Sequence, residues 1–123
     1  MNFDFDRLTL CEARNLLERG ECTSEELVAA LIAVIREKDG AIGAYLNVDE
    51  DAALEQARAA DRTRASGGAG RLLGLPVAIK DILNVEGAPC GCASSILQGY
   101  TAPYDATAIA RLRAEGAVFL GRT

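Results

Sequence analysis

The stretch Gly74-Leu75-Pro76-Val77-Ala78-Ile79-Lys80-Asp81 constrains this chain more than any other. A glycine and a proline open it, small or branched apolar residues follow, and a lysine closes the run. A short apolar run bounded by Gly and Pro reads as a buried strand, so residues 77–79 are expected as a strand covered on both faces. Such a strand normally ends in turn residues. Ending it in an ammonium group is costly while the charge persists. Of the 13 basic residues, only Lys38 and Lys80 are lysines. Arginine keeps its proton in proteins, whereas a desolvated lysine gives it up. Lys80 is therefore a candidate proton acceptor. It could equally run its charged head out to solvent or pair with the adjacent Asp81, and these residues alone leave the choice open.

Composition narrows the function classes. The 123 residues are 50% hydrophobic and 25% charged, which suits one folded domain rather than a disordered chain. A net charge of −5 argues against non-specific binding to nucleic acid. No apolar run approaches the ~20 residues of a membrane span. The opening Met1-Asn2-Phe3-Asp4-Phe5-Asp6-Arg7 has no basic region followed by an apolar one, so no secretory leader and a cytoplasmic location are expected. The four cysteines, Cys11, Cys22, Cys90 and Cys92, are then expected to be reduced. Cys90-Gly91-Cys92 has one intervening residue instead of the two of common zinc and redox motifs, and no metal site is expected. The chain contains no histidine. Ser-His-Asp and Cys-His arrangements are thus excluded from this segment, and a lysine or carboxylate must do any acid–base work.

Taken in order, Thr9 and Glu12 form a capping box before an apolar face of Leu10, Ala13, Leu16 and Leu17, with Gly20 as the stop. Thr23 and Glu26 repeat the pattern before Leu27, Leu31, Val34 and Ile35, a stripe widened by Val28 and Ile32 and ended by Asp39-Gly40. These two helices are expected as a hairpin packing on something else. Ala44-Tyr45-Leu46-Asn47-Val48 reads as a short strand. Asp49 caps a third, alanine-rich helix over about 50–65, whose thin face carries Leu54, Ala57 and Asp61. Ser66-Gly67-Gly68-Ala69-Gly70 follows a helix and precedes a strand, the reverse of a phosphate-cradling loop, so a flexible linker is expected. Residues 81–85 continue extended or turn, and Glu86-Gly87-Ala88-Pro89 breaks them. The small residues 90–95 suit a pocket wall or a tight corner. Asp105 is expected to cap a helix with Ala108, Ile109 and Leu112 on its apolar face, closed by Glu115-Gly116. A strand over 117–121 follows, and a right-handed crossover would lay it parallel to the lysine strand. No internal repeat or domain boundary is visible.

These stretches together resemble the amidase signature family. Gly74 to Asp81 looks like that family's catalytic-lysine strand. Asp105-Ala106-Thr107, Arg111-Leu112 and Gly116-Ala117-Val118-Phe119-Leu120-Gly121-Arg122-Thr123 are similar to the helix and strand that follow it there. The resemblance runs from about Leu8 to Thr123. Cys22-Thr23-Ser24-Glu25-Glu26-Leu27, Ile96-Leu97-Gln98-Gly99-Tyr100 and Pro103-Tyr104-Asp105-Ala106-Thr107 are most similar to the family branch that hydrolyses glutamine in tRNA-dependent amidotransferases. Cys90-Gly91 stands where that branch usually carries Thr-Thr, and Ser95 where it carries a basic residue.

The resemblance implies an α/β fold, a mixed β-sheet sandwiched between α-helices and starting with a helical hairpin. It implies a Ser–cis-Ser–Lys triad in which neutral Lys80 takes a proton from a bridging serine, which relieves the nucleophilic serine of its own. Both family serines lie in a downstream Gly/Ser-rich signature. Ser94-Ser95 lack its flanking glycines and match a different part of the pattern. Residues 1–123 are accordingly expected to be the N-terminal portion of a single amidase domain. The resemblance further implies glutamine as substrate, a tRNA-binding partner subunit with kinase chemistry, a small third subunit, and no membrane. ATP and Mg2+ would act in the complex, with no cofactor in this segment. Glu-tRNA(Gln), and also Asp-tRNA(Asn), would be amidated through the partner. Two other readings remain open: an amidase acting alone on small amides, and a truncated module that only binds a partner.

Overall fold

Two capping boxes fix where the chain enters its first helices. The structure is a computed structural model that describes residues 3–123; Met1 and Asn2, at the head of the stretch read for a leader, lie outside it. Helix α1 (Leu10–Glu18) begins where the Thr9 hydroxyl accepts from the Glu12 N–H at 3.2 Å and the Glu12 carboxylate accepts from the Thr9 N–H at 2.8 Å. Helix α2 (Ser24–Ile42) repeats this with Thr23 and Glu26. It runs through Asp39-Gly40 instead of ending there. The Asp39 carboxylate accepts from the N–H groups of Ala44 and Tyr45 beyond the helix, and Gly43, at φ 66°, takes the left-handed cap. A glycine inside a helix costs about 1 kcal/mol, which these caps offset.

Helix α3 (Glu50–Ala65) starts on Asp49 as the spacing predicts. Its buried face is Ala53, Ala57 and Ala60, which keeps the expected Ala57 and replaces Leu54 and Asp61 by the alanines one position earlier. Leu54 sits half-buried at the edge of the core. The Asp61 carboxylate turns to the start of α2 and accepts from the N–H groups of Ser24 (2.8 Å) and Glu25 (3.0 Å), where an anion is favoured. Alanines let α3 lie close to α2 and to the sheet.

The sheet has the order β1-β3-β2, with β1 (Asn47–Val48) antiparallel and β2 (Pro76–Ile79) parallel to the central β3 (Val118–Arg122). The parallel pairing across the intervening helix α4 (Thr107–Ala114) is the one expected. The register slips between Val77 and Ala78, so the ladder carries a bulge. Val28, Ile32, Ala53, Ala57, Val118 and Leu120 form the core between α2, α3 and the sheet. A second cluster, Ala13, Leu17, Cys22, Leu27 and Leu75, joins α1 to the start of α2.

Two connecting segments differ from expectation. Residues 66–70 form a closed turn instead of a flexible linker: the Gly68 N–H donates to the Thr63 oxygen at 2.9 Å, and Gly70 packs so closely on the Glu115 carbonyl that a Cβ would overlap it. Asp105 does not cap α4, whose cap residue is Ala106. The Asp105 carboxylate instead takes two hydrogen bonds from the Arg113 guanidinium, at 2.8 and 3.1 Å, and one from the Glu86 N–H. A two-pronged charge-assisted pair outcompetes a cap, and Arg113 holds the Asp105 carboxyl below the usual carboxylate range. Among the described residues no helix is long and apolar enough to cross a membrane.

Candidate active site

The end of β2 is held by the end of β3. The Thr123 N–H donates to the Ile79 oxygen at 2.9 Å, and the Asp81 N–H donates to the Thr123 oxygen at 2.8 Å. The backbone of Lys80 is thereby pinned between two ladder bonds. The Lys80 oxygen accepts from the Leu83 N–H at 3.1 Å, which turns the chain away. The side chain of Lys80 is exposed. This corrects the expectation of a strand covered on both faces. Ile79 is buried, but Ala78 and Lys80 are exposed and Pro76 and Val77 half-buried, so β2 is covered on one side only. Alternation then puts the residue after Ile79 on the open side.

The alternative pairing of Lys80 with Asp81 is not what the carboxylate does. Asp81 accepts from the Gly91 N–H at 3.1 Å and from Nη2 of Arg122 at 3.3 Å. Arg122 is only 6% exposed. Its Nη2 also donates to the Leu83 oxygen at 2.7 Å, while its Nε and Nη1 are buried with no partner. It lines a cavity of about 300 Å3 together with Gln56, Ile79, Val85, Arg113 and Phe119. The sequence reading ends the strand at Gly121 and gives Arg122 no role, whereas β3 includes it. A signal was available: burial alternates along β3, and the period that buries Val118 and Leu120 reaches Arg122 next.

The segment 90–93 closes around Asp81. The Cys92 N–H donates to the Asp81 main-chain oxygen at 3.0 Å, and Cys92 and Ala93 take left-handed conformations at φ 50° and 54°. Of the two roles open to this small-residue stretch, the structure gives it the tight corner. Ser94 is half-buried and donates its N–H to the Gly91 oxygen, and Ser95 opens a 3-10 turn (Ser95–Leu97). Among the described residues no group of three or more His, Cys, Asp or Glu side chains could hold a metal ion. The arrangement presents one exposed primary amine on a fixed backbone, beside a carboxylate already committed to an arginine. An amine so placed completes a proton-transfer pair once a hydroxyl is brought against it.

Residues 26–123 match the amidase family. The chain is 49% identical over 116 residues to the A-subunit of glutamyl-tRNA(Gln) amidotransferase from Roseiflexus castenholzii, covering 94% of this chain and 24% of that relative. Its identity to the protein of the same name from Ectopseudomonas mendocina is 45%, over the same shares. Among solved structures, the peptide amidase of Stenotrophomonas maltophilia superposes with a TM-score of 0.89 at 32% identity, covering 99% of this chain and 26% of that one. The chain thus spans about a quarter of the length of the proteins it matches. With four helices, a mixed sheet and most of its residues inside that match, the chain belongs to the amidase family.

Proposed function

We propose that this chain is the N-terminal segment of the glutamine-hydrolysing subunit of a cytoplasmic tRNA-dependent amidotransferase, and that Lys80 is its catalytic base. The observation that carries this is the state of the lysine's neighbour. Asp81 is engaged by Arg122 and Gly91, which leaves the amine at the end of β2 free to serve an incoming hydroxyl. Similarity to the amidotransferase sequences supports the choice of substrate. In the complete domain, residues following Thr123 would supply the bridging and nucleophilic serines and cover the amine, providing the desolvation that an exposed Lys80 lacks here. Neutral Lys80 would accept the bridging serine's proton. The nucleophilic serine would attack the glutamine carboxamide carbon and release ammonia, and water would then free glutamate. ATP and Mg2+ would act in the tRNA-binding partner, where ammonia amidates Glu-tRNA(Gln) or Asp-tRNA(Asn), with a small third subunit completing the complex. Neither group is assigned to residues of this chain.

The test is glutamine hydrolysis by the full-length protein carrying Lys80→Met or Lys80→Arg. Both should abolish turnover, the arginine because it keeps its proton. Circular dichroism should show both variants folded, so that the lost turnover reports on the amine and not on the fold. Retained turnover in either variant overturns the reading. A second reading, an amidase acting alone, is favoured by the superposition on a peptide amidase over nearly the whole chain. Co-purification with a tRNA-binding subunit separates the two.

A further inference from the structure

The corner that wraps Asp81 holds two sulfurs side by side. The Cys90 and Cys92 Sγ atoms stand 3.9 Å apart, and all four cysteines of the chain are free thiols. Three contacts keep the corner in place: Gly91 N–H to the Asp81 carboxylate, Cys92 N–H to the Asp81 main-chain oxygen, and the Cys90 thiol to that same oxygen at 3.6 Å. Left-handed backbone at Cys92 and Ala93 is unfavourable for residues with a Cβ, yet it is this turn that brings the sulfurs together. The two thiols differ in access. Cys90 is buried and Cys92 exposed. Cys22, by contrast, is buried in the α1–α2 cluster, and Cys11 lies exposed on α1.

We propose that Cys90 and Cys92 are a redox-active dithiol that closes to an intrachain disulfide by exchange with a small-molecule disulfide. Bonded sulfurs stand ~2.05 Å apart, a displacement within reach of the exposed Cys92 side chain. The exposed thiol acts first: Cys92, as thiolate, attacks one sulfur of the small disulfide and expels the other as a thiolate. The Cys90 thiol then gives up its proton and attacks the Cys92 sulfur, expelling the second small thiolate. Two protein thiols are oxidised by two electrons, one small disulfide is reduced to two thiols, and the two protons pass to the leaving thiolates. Burial pushes the Cys90 thiol up, which keeps it protonated until the mixed disulfide stands beside it. The switch sits on the residue that follows Lys80, so its closure bears on the end of β2.

Oxidised glutathione is the probe, applied to the full-length protein under native conditions before alkylation and trypsin digestion. No Lys or Arg lies between Lys80 and Arg111, so the peptide 81–111 carries these two cysteines and no others. It should be recovered two hydrogens lighter and unalkylated. Cys90→Ser should trap glutathione on Cys92, with the adduct outliving its wild-type counterpart by roughly tenfold or more, as expected when a thiol is already in place to resolve it. Cys92→Ser should take up no glutathione on the buried Cys90. Closure in denaturant should be slower than in the native protein. The proposal is overturned if the wild-type peptide returns doubly alkylated, if its mixed adduct lasts as long as that of Cys90→Ser, if Cys92→Ser is modified at the wild-type rate, or if native and denatured chains close equally fast. The readout is a mass, so it stands or falls independently of glutamine hydrolysis.

Discussion

The layer formed by α2, α3 and β3 and the loop region over residues 80–106 are neighbours built on different physics. The first is joined by apolar side chains: Val28, Ala53, Ala57 and Val118 are almost wholly buried, and Leu120 nearly so. The second contains one 3-10 turn and one isolated bridge, Pro89 to Thr101, and buries only Cys90 and Ala102 among its residues. It leaves Ile82 and Ile96 exposed. Polar contacts hold it: the Asp81 carboxylate and the Leu83 oxygen bind Arg122 of the sheet, while Glu86 to Asp105 and Ala106 to the Asn84 oxygen tie the loops to one another. Apolar packing gives a stiff platform, whereas hydrogen bonds place individual groups at a lower local stability. Lys80, Arg122 and the thiol pair all stand where the platform meets the polar loops.

The sharpest way to break the platform is Leu120→Ala. Removing a fully packed leucine should cost about 2–5 kcal/mol, a large part of the ~5–15 kcal/mol that holds a small domain together. Urea unfolding followed by circular dichroism should show the midpoint fall. A loss below 1 kcal/mol, on the order of a surface substitution, would mean the core is not the source of stiffness.

Asp81→Asn attacks the other region. It keeps an acceptor oxygen but removes the negative charge that faces the buried Arg122 guanidinium, and about 3 kcal/mol should be lost. The two regions differ in how that loss spreads. Hydrogen exchange at Gly91 and Cys92 should accelerate while the α3 amides stay protected. Equal acceleration in α3 would show that loops and platform unfold as one unit.

The difference between these regions also explains what the sequence disclosed. The helices were legible because capping boxes and apolar periods are local: Thr9, Thr23 and Asp49 mark the starts that the structure shows. The parallel pairing of β2 with β3 followed from strand–helix–strand order. Asp105 and Asp61 were misread because each carboxylate answers to a partner distant in sequence or several residues on, Arg113 in one case and the start of α2 in the other. The second covered face expected of β2 is absent from this chain because an apolar run does not say how many faces of its strand are covered. At the site, the lysine could be picked out from its own neighbours. The Asp81–Arg122 pair spans 41 positions and left no mark in any local window.

Gly121→Ala tests the edge where β1 joins the platform. A Cβ there would overlap the Asn47 carbonyl oxygen and crowd the Tyr45 ring. Backbone cannot yield as a flexible side chain does, so β1 should separate from β3 at a cost of about 1–3 kcal/mol. Exchange of the Leu46 N–H, which donates to the Arg122 oxygen at 2.8 Å, reports that separation directly. Unchanged protection at Leu46 would show that the two-residue strand tolerates a wider spacing.

The smallest effects belong to the helix starts. Thr23→Ala removes a hydroxyl that caps α2 and should cost about 1 kcal/mol. The pH dependence of the same cap has a definite sign. The Thr23 backbone N–H, followed by its hydroxyl, holds the Glu26 carboxyl below its ordinary value, and Thr9 does the same for Glu12. A carboxyl lowered in the folded state contributes stability that is fully present above its unfolded pKa and disappears as pH falls through the folded one. The stability gap between wild type and Glu26→Gln should therefore be open at neutral pH and close on the acid side of the ordinary glutamate range. A gap that widens on acidification would reverse the sign and remove the capping box as its cause. Because α2 starts against Asp61 and Gly74 as well as its own cap, a gap confined to local exchange at Glu26 would show that tertiary contacts, not the box, anchor this end of the platform.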